Sequence, residues 1–162
     1  MTDVTIRELN GIDELHSIFP LVHQSNPELD EPLFRERLAA MLAGGGYRCI
    51  AAFRDNAMVG VAGFWTGVQL WCGRFIEPDN VVVDRAVRGG GVGGLMMAWI
   101  EAEAVRLGCE MLKLETYAER TRTRNFYKSI GYGEPGIVMV KTLPTPGAMT
   151  LADIMAKGSA AV

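Results

Sequence analysis

Residues 81–95 (VVVDRAVRGGGVGGL) run from an apolar strand through an arginine and a glycine-dense turn into the start of a helix. No other stretch restricts the fold of this chain as much. Glycine is unfavourable in the first turn of a helix unless the backbone must come close to something. Such a turn exposes several N–H groups with no side chains in the way. The helix that follows aims its positive dipole end at the same spot. The arrangement suits a diphosphate and so implies a nucleotide-like cofactor; a flexible turn with no ligand is the plain alternative.

Three cofactor loops have related patterns. In a P-loop, Gly89 and Gly94 have the right spacing, but Leu95 and Met96 stand where a lysine and a hydroxyl are required, which excludes it. A dinucleotide fingerprint is met literally by Gly89-x-Gly91-x-x-Gly94. It follows a strand and opens a helix, and Glu115 lies about twenty residues on, where an acidic ribose-binding residue belongs. The acyl-CoA loop, Arg/Gln-x-x-Gly-x-Gly/Ala, is met by Arg88-Gly89-Gly90-Gly91-Val92-Gly93.

The order of elements separates the last two. Thr5 to Leu9 alternates like a strand. Ile12, Leu15, Ile18, Phe19 and Val22 recur at helical spacing, with Pro20 expected to kink or end that helix. Ser25 to Pro32 is a polar linker. Asp30 or Glu31 can cap a second helix that has Pro32 in its first turn, Leu33, Phe34, Leu38, Met41 and Leu42 as its buried stripe, and Gly44-Gly45-Gly46 at its end. Tyr47 to Phe53, Met58 to about Leu70, and Arg74 to Val83 then read as three strands joined by turns at Asp55-Asn56 and Cys72-Gly73, an antiparallel meander. After the glycine turn, Leu95 to Leu107 reads as a helix closed by Gly108. Met111 to Tyr117 reads as a short strand, Arg120 to Ile130 as a helix ending at Gly131, and Ile137 to Leu143 as a last strand. A thinly apolar tail from Pro144 has one short helix at Leu151 to Met155. A dinucleotide fold carries its glycine loop after its first strand, within alternating strand–helix units. Here the loop follows a meander and lies past the middle of the chain, which disfavours a nicotinamide-dependent oxidoreductase.

Composition narrows the class further. The chain has 162 residues, enough for a single domain with a full core; residues 144–162 are expected to be peripheral to it. A net charge of -3 gives no general basic surface for nucleic acid. Cys49, Cys72 and Cys109 are scattered, odd in number and without a CxxC, which argues for a reducing compartment and against a disulfide frame or zinc site. His16 and His23 sit in a helical stretch and read as ordinary helix residues rather than metal ligands, so no metal is expected. No apolar run reaches the length of a membrane span and the N-terminus lacks a signal pattern, so a cytoplasmic protein with no membrane partner is expected.

Two motifs resemble the GNAT family, the acyl-CoA-dependent N-acyltransferases. The first is Val83 to Leu95, similar to the family's strand–loop–helix signature, with Arg85 in place of a frequent proline. The second is Asn125-Phe126-Tyr127-Lys128-Ser129-Ile130-Gly131-Tyr132, similar to its Phe-Tyr-x-x-x-Gly-Phe helix end. The resemblance covers roughly Tyr47 to Leu143, and the two N-terminal helices fit the family order. It implies a mixed α/β fold with a central, mostly antiparallel sheet of about six or seven strands flanked by about four helices. It also implies transfer of an acetyl group from acetyl-CoA to a primary amine of a small molecule or peptide, by direct attack on the thioester. A non-catalytic acyl-CoA sensor on the same fold keeps both motifs and stays open.

Such chemistry assigns roles. If the third strand splays from the next, the backbone of Val81, Val82 and Val83 is free to pair with the pantetheine arm. Arg88, Gly89, Gly90, Gly91, Val92, Gly93 and Gly94 cup the pyrophosphate. Arg120, Arg122 and Arg124 form a clamp for the adenosine phosphate, or a solvated cationic helix start. In the family a tyrosine at the position of Tyr127 protonates the departing thiolate, and a phenol with a pKa of about 10 stays protonated for that task. Glu77 and Asp79, two apart on the third strand, share a face with each other and, by strict alternation, with Val81 and Val83. Either suits a general base whose pKa burial would raise; Glu115 at the end of the next strand is a third candidate, and Glu77 ranks slightly first. The resemblance also implies that the two N-terminal helices and the loop between them cover the acceptor groove; Glu28, Asp30 and Glu31 in that loop either favour a cationic amine or form a solvated acidic linker. Trp65 and Trp71 either line it or pack in a core or interface. Only Gly133-Glu134-Pro135-Gly136 separates the second motif from the last strand, so the acceptor side is expected to be open or completed by a second copy in a homodimer.

Overall fold

A computed structural model describes residues 3–159. The chain divides into two compact units, Met1–Leu114 and Glu115–Val162. The first is built on strands β1 (Thr5–Glu8), β2 (Tyr47–Arg54), β3 (Ala57–Gln69), β4 (Gly73–Val83) and β5 (Met111–Leu112), in the order β1-β2-β3-β4-β5. All neighbours are antiparallel except β4 and β5, which run parallel. The fold is the expected mixed α/β class. Among the described residues the sheet has five strands rather than six or seven, and six α-helices are present rather than four.

The meander follows from its turns. Asp55 and Asn56 both have positive φ, the mirror-image turn that matches strand twist and that Asn and Asp tolerate best. Helix α1 (Gly11–His16) stops at Ser17, and Pro20 opens α2 (Phe19–Ser25), where its missing N–H costs nothing; the proline therefore divides one apolar stripe into two helices. In α3 (Glu31–Gly44) the Asp30 carboxylate accepts the Leu33 N–H at 2.9 Å and Pro32 occupies the first turn. These three helices cover one face of the sheet. Leu15, Ile18, Val22, Phe34 and Leu38 pack in one core with Tyr47, Cys49, Ala51, Val61 and Val82. Helix α4 (Val92–Arg106) packs on β3 and β4, buries Met96 and Ile100, and approaches so closely that a Cβ on Gly60 would lie 3.0 Å from Met96 Cε.

One irregularity shapes everything downstream. Gly63 pairs with Asp79 but Val61 pairs with Val82, so β4 carries one extra residue there, and Asn80 sits at φ 50. This is a β-bulge. It reverses the alternation, so Val82, not Val81 or Val83, shares the face of Asp79. Val82 is accordingly 3% exposed in the core.

The second unit contains α5 (Thr121–Ser129) and α6 (Leu151–Ser159). Thr150 and Asp153 cap α6 reciprocally, the Thr150 N–H donating to Asp153 at 2.8 Å and the Asp153 N–H to Thr150 Oγ1 at 3.2 Å. Arg124 and Lys128 both bind Glu134. The strand expected at Ile137 to Leu143 is not formed; Ile137 and Met139 are 89% and 87% exposed. Alternation supplies a face, but a strand also needs a neighbouring ladder for its N–H and C=O groups. For the same reason the strand expected from Met111 to Tyr117 ends at Leu112, where β4 no longer runs beside it.

Candidate active site

In the first unit, β4 meets β5 only at Phe75–Met111 and Ile76–Leu112, with the Lys113 N–H donating to the Ile76 carbonyl at 3.1 Å. From Glu77 to Val83 the β5 side of β4 carries no ladder among the described residues. Among the described residues no strand pairs with Val81 to Val83 on the β5 side, which leaves a slot along that edge of β4. One group there is already engaged, because Arg88 Nε donates to the Val83 carbonyl at 3.3 Å.

The slot leads to the glycine turn. Asp84 turns the chain through a single 3-10 turn (Arg85–Val87), accepting the Ala86 N–H at 2.9 Å. Gly89 and Gly91 have φ of 86° and 77°, and a Cβ on Gly89, Gly91 or Gly94 would have nothing within 4 Å. Gly89 and Gly91 are needed for their backbone conformation, not to avoid neighbours. Gly91 caps α4 with no side chain. The first N–H groups of Val92, Gly93 and Gly94 are the helix's orphan donors. Bare N–H groups, positive-φ glycines and the positive end of α4 together fit a diphosphate. In a dinucleotide fold the loop would follow the first strand of a parallel sheet. Here it follows the fourth strand of a largely antiparallel one.

Across the sheet from the slot's floor, Tyr47, Trp65 and Glu77 are consecutive cross-strand partners, as are Cys49, Gly63 and Asp79. Gly63 is required by close approach: a Cβ there would lie 2.2 Å from the Tyr47 hydroxyl oxygen. Tyr47 and Trp65 rings meet at 5.1 Å, and Trp65 Nε1 donates to Asp79 Oδ2 at 3.4 Å. Burial pushes the Asp79 carboxyl above its ordinary 3.8, opposed by the hydrogen bonds from Trp65 and the Asn80 backbone and assisted by the charge of Glu77. Glu77 is bound differently, in an ion pair with Lys113 at 2.8 Å, and that ammonium also stands over the Phe75 ring. Trp65 packs partly buried against the helical core, whereas Trp71 is 69% exposed on the β3–β4 turn.

Tyr127, Glu115, Arg120, Arg122 and Arg124 belong to the second unit. Tyr127 contacts the rings of Phe126 and Tyr132 at 5.1 and 5.4 Å, and burial pushes its phenol up to about 12. Glu115 is exposed. Arg120 lies over the Tyr117 ring and donates to the Lys157 carbonyl at 3.0 Å. Arg124 grips Glu134 and donates to the Ala118 carbonyl. Of the imidazoles, His23 contacts the Leu29 carbonyl and His16 the Arg35 guanidinium. Tyr47, Lys113 and Arg54 are the residues near the slot and loop that sequence reasoning missed. Tyr47 follows from the β2–β3 register, which places it opposite Trp65, whereas Lys113 lies just past the parallel β4–β5 pairing, whose register no turn signal fixes.

Comparison with known proteins bears on the fold and the family. The chain is 29% identical over 133 residues to aminoalkylphosphonate N-acetyltransferase of Salmonella typhimurium, covering 81% of this chain and 86% of that protein. Its fold matches the aminoglycoside N-acetyltransferase AAC(6')-Iy in complex with CoA with a TM-score of 0.76 at 17% identity, over 90% of this chain and 97% of that one. It matches glucosamine-6-phosphate N-acetyltransferase from Arabidopsis thaliana with a TM-score of 0.68 at 18% identity, over 86% and 97% of the two chains. The model of the acetyltransferase (GNAT) family matches residues 12–132, and the chain belongs to that family of acyltransferases.

Proposed function

We propose that this enzyme moves an acetyl group from acetyl-CoA to the primary amine of a small molecule. The observation that carries the reading is the parting of β4 from β5 along a slot that ends at a glycine-built helix start with no side-chain cap. The acceptor class is supported by the relatives, which are named for aminoalkylphosphonate and aminoglycoside acetylation.

When bound, acetyl-CoA supplies an activated thioester. The chain's own residues do the rest. The backbone of Val81 to Val83 offers edge hydrogen bonds to an amide-bearing arm, as an added strand would. Residues Arg88 to Gly94 donate to phosphate oxygens. Asp79 takes the role of general base. Its raised pKa makes it a better acceptor for the ammonium proton than an exposed carboxylate. Glu77, held by Lys113, orients rather than abstracts. Tyr127 takes the role of general acid for the leaving thiolate. A phenol pushed up to about 12 keeps its proton across the neutral range, so no basic limb is expected from it near neutrality.

Two measurements test this. Free thiol released from acetyl-CoA is followed with a panel of small primary amines; CoA binding with no amine-dependent release for any of them would overturn the transfer reading. Tyr127→Phe is expected to lower kcat by about 10²-fold while CoA affinity holds. Unchanged turnover removes the tyrosine from the mechanism.

A further inference from the structure

Arg54 closes β2 just before the positive-φ turn at Asp55 and Asn56. Its guanidinium reaches the glycine turn from outside the motif: a Cβ on Gly90 would lie 3.5 Å from Arg54 Nη2. Its Nε is buried and has no hydrogen-bond partner among the described residues. The two arginines within the loop segment have found oxygens. Arg85 Nη2 donates to the Gln24 carbonyl at 2.6 Å and Arg88 Nε to the Val83 carbonyl. The carboxylate in that segment, Asp84, accepts the Ala86 N–H.

A buried cationic N–H without an acceptor is costly, and buried polar groups in folded proteins almost always find one. Here that one unpaired N–H, on a half-buried guanidinium, stands beside further positive ends, the bare N–H groups of the turn and the start of α4. Electrostatically the place is complete only when an anion is present. We infer that Arg54 is a phosphate-binding residue for the diphosphate of the CoA donor, acting from the β2–β3 hairpin beside Gly90. This rests on the acetyl-CoA reading above. A guanidinium offers a planar fork of donors matched to phosphate oxygens, which a lysine at this place would not reproduce.

The test is calorimetric binding of CoA and of dephospho-CoA, which lacks the 3'-phosphate, to wild type, Arg54→Gln and Arg54→Met. Both variants are expected to bind both ligands about ten- to hundredfold more weakly than wild type. Without ligand they are expected to melt at or above the wild-type temperature, since an uncompensated cation has been removed. Wild type that fails to bind CoA at all defeats the acetyl-CoA reading itself. Wild type that binds, with variants within twofold of it, defeats only the role of Arg54. Loss confined to CoA would move Arg54 to the 3'-phosphate and overturn the diphosphate assignment. A crystal structure of the wild-type CoA complex decides independently of variant folding. Arg54 nitrogens about 2.7–3.2 Å from a diphosphate oxygen are expected, and a guanidinium turned away from both phosphates would overturn the inference.

Discussion

Asp79→Asn is expected to lower kcat by about 10³-fold with little change in CoA affinity, because it removes the proposed base and keeps the shape. The same variant is expected to be more stable than wild type near neutral pH. The sign follows from linkage. Burial raises the folded-state pKa of Asp79 above its ordinary 3.8. Such a group contributes fully below the unfolded value and loses that contribution as pH rises through the folded one. Above the unfolded value the buried carboxyl is therefore a burden on the fold, and asparagine relieves it. A structural carboxylate would give the opposite pairing, lower stability with near-normal turnover. The acid limb of kcat/KM is expected above the ordinary aspartate range in wild type and absent in Asp79→Asn. Trp65→Phe adds a second reading. The indole N–H bonded to Oδ2 holds the pKa down, so its loss is expected to move the limb to higher pH. An acid limb that survives in Asp79→Asn unchanged would transfer the base role to Glu77 or Glu115.

What the sequence disclosed and what it hid divide along a physical line. The glycine turn was legible because its requirement is on the backbone: Gly89 and Gly91 occupy positive φ that other residues reach only with strain. The meander was legible because Asp55-Asn56 and Gly73 are turn formers whose conformation is local. The ranking of the carboxylates was not, because it depends on partners from other strands. Lys113, from beyond β5, claims Glu77, and Trp65 from β3 reaches Asp79. The bulge at Asn80 was missed because strict alternation was carried from Glu77 and Asp79 straight into Val81 to Val83, although Pro78 and Asn80 are both unusual inside a strand, and it moved Val82 onto the face assigned to Val81 and Val83. Residues 137–143 show the converse, a strand pattern without a ladder. Arg54 carried no signal at all, since a terminal arginine of a strand before a turn is ordinarily a solvated charge.

The largest stability effect is expected at Glu103, far from any reacting atom. This carboxylate on α4 is 7% exposed and binds Arg48 of β2 at 2.5 Å and Arg106, one turn on, at 2.6 Å. Arg48 in turn holds Glu8 of β1. The chain of charges ties the far edge of the sheet to the helix that follows the glycine turn. Glu103→Ala leaves Arg48 at 28% side-chain exposure with half its partners gone, a loss of about 2–3 kcal/mol in urea unfolding. The value is set at the low end of buried pairs because Arg106, at 66% exposure, is partly screened by water. Glu103→Gln keeps acceptor and donor but not charge, and is expected to fall between. Hydrogen bonds from Arg106 and Arg48 hold the Glu103 carboxyl down at about 2. Its contribution is therefore complete above the ordinary value of 4.5 and fades as pH falls from there through about 2. The difference in unfolding free energy between wild type and Glu103→Gln should accordingly be constant near neutrality and shrink in that acid window. A difference that stayed flat down to pH 2 would mean that packing, not charge, is what Glu103 contributes.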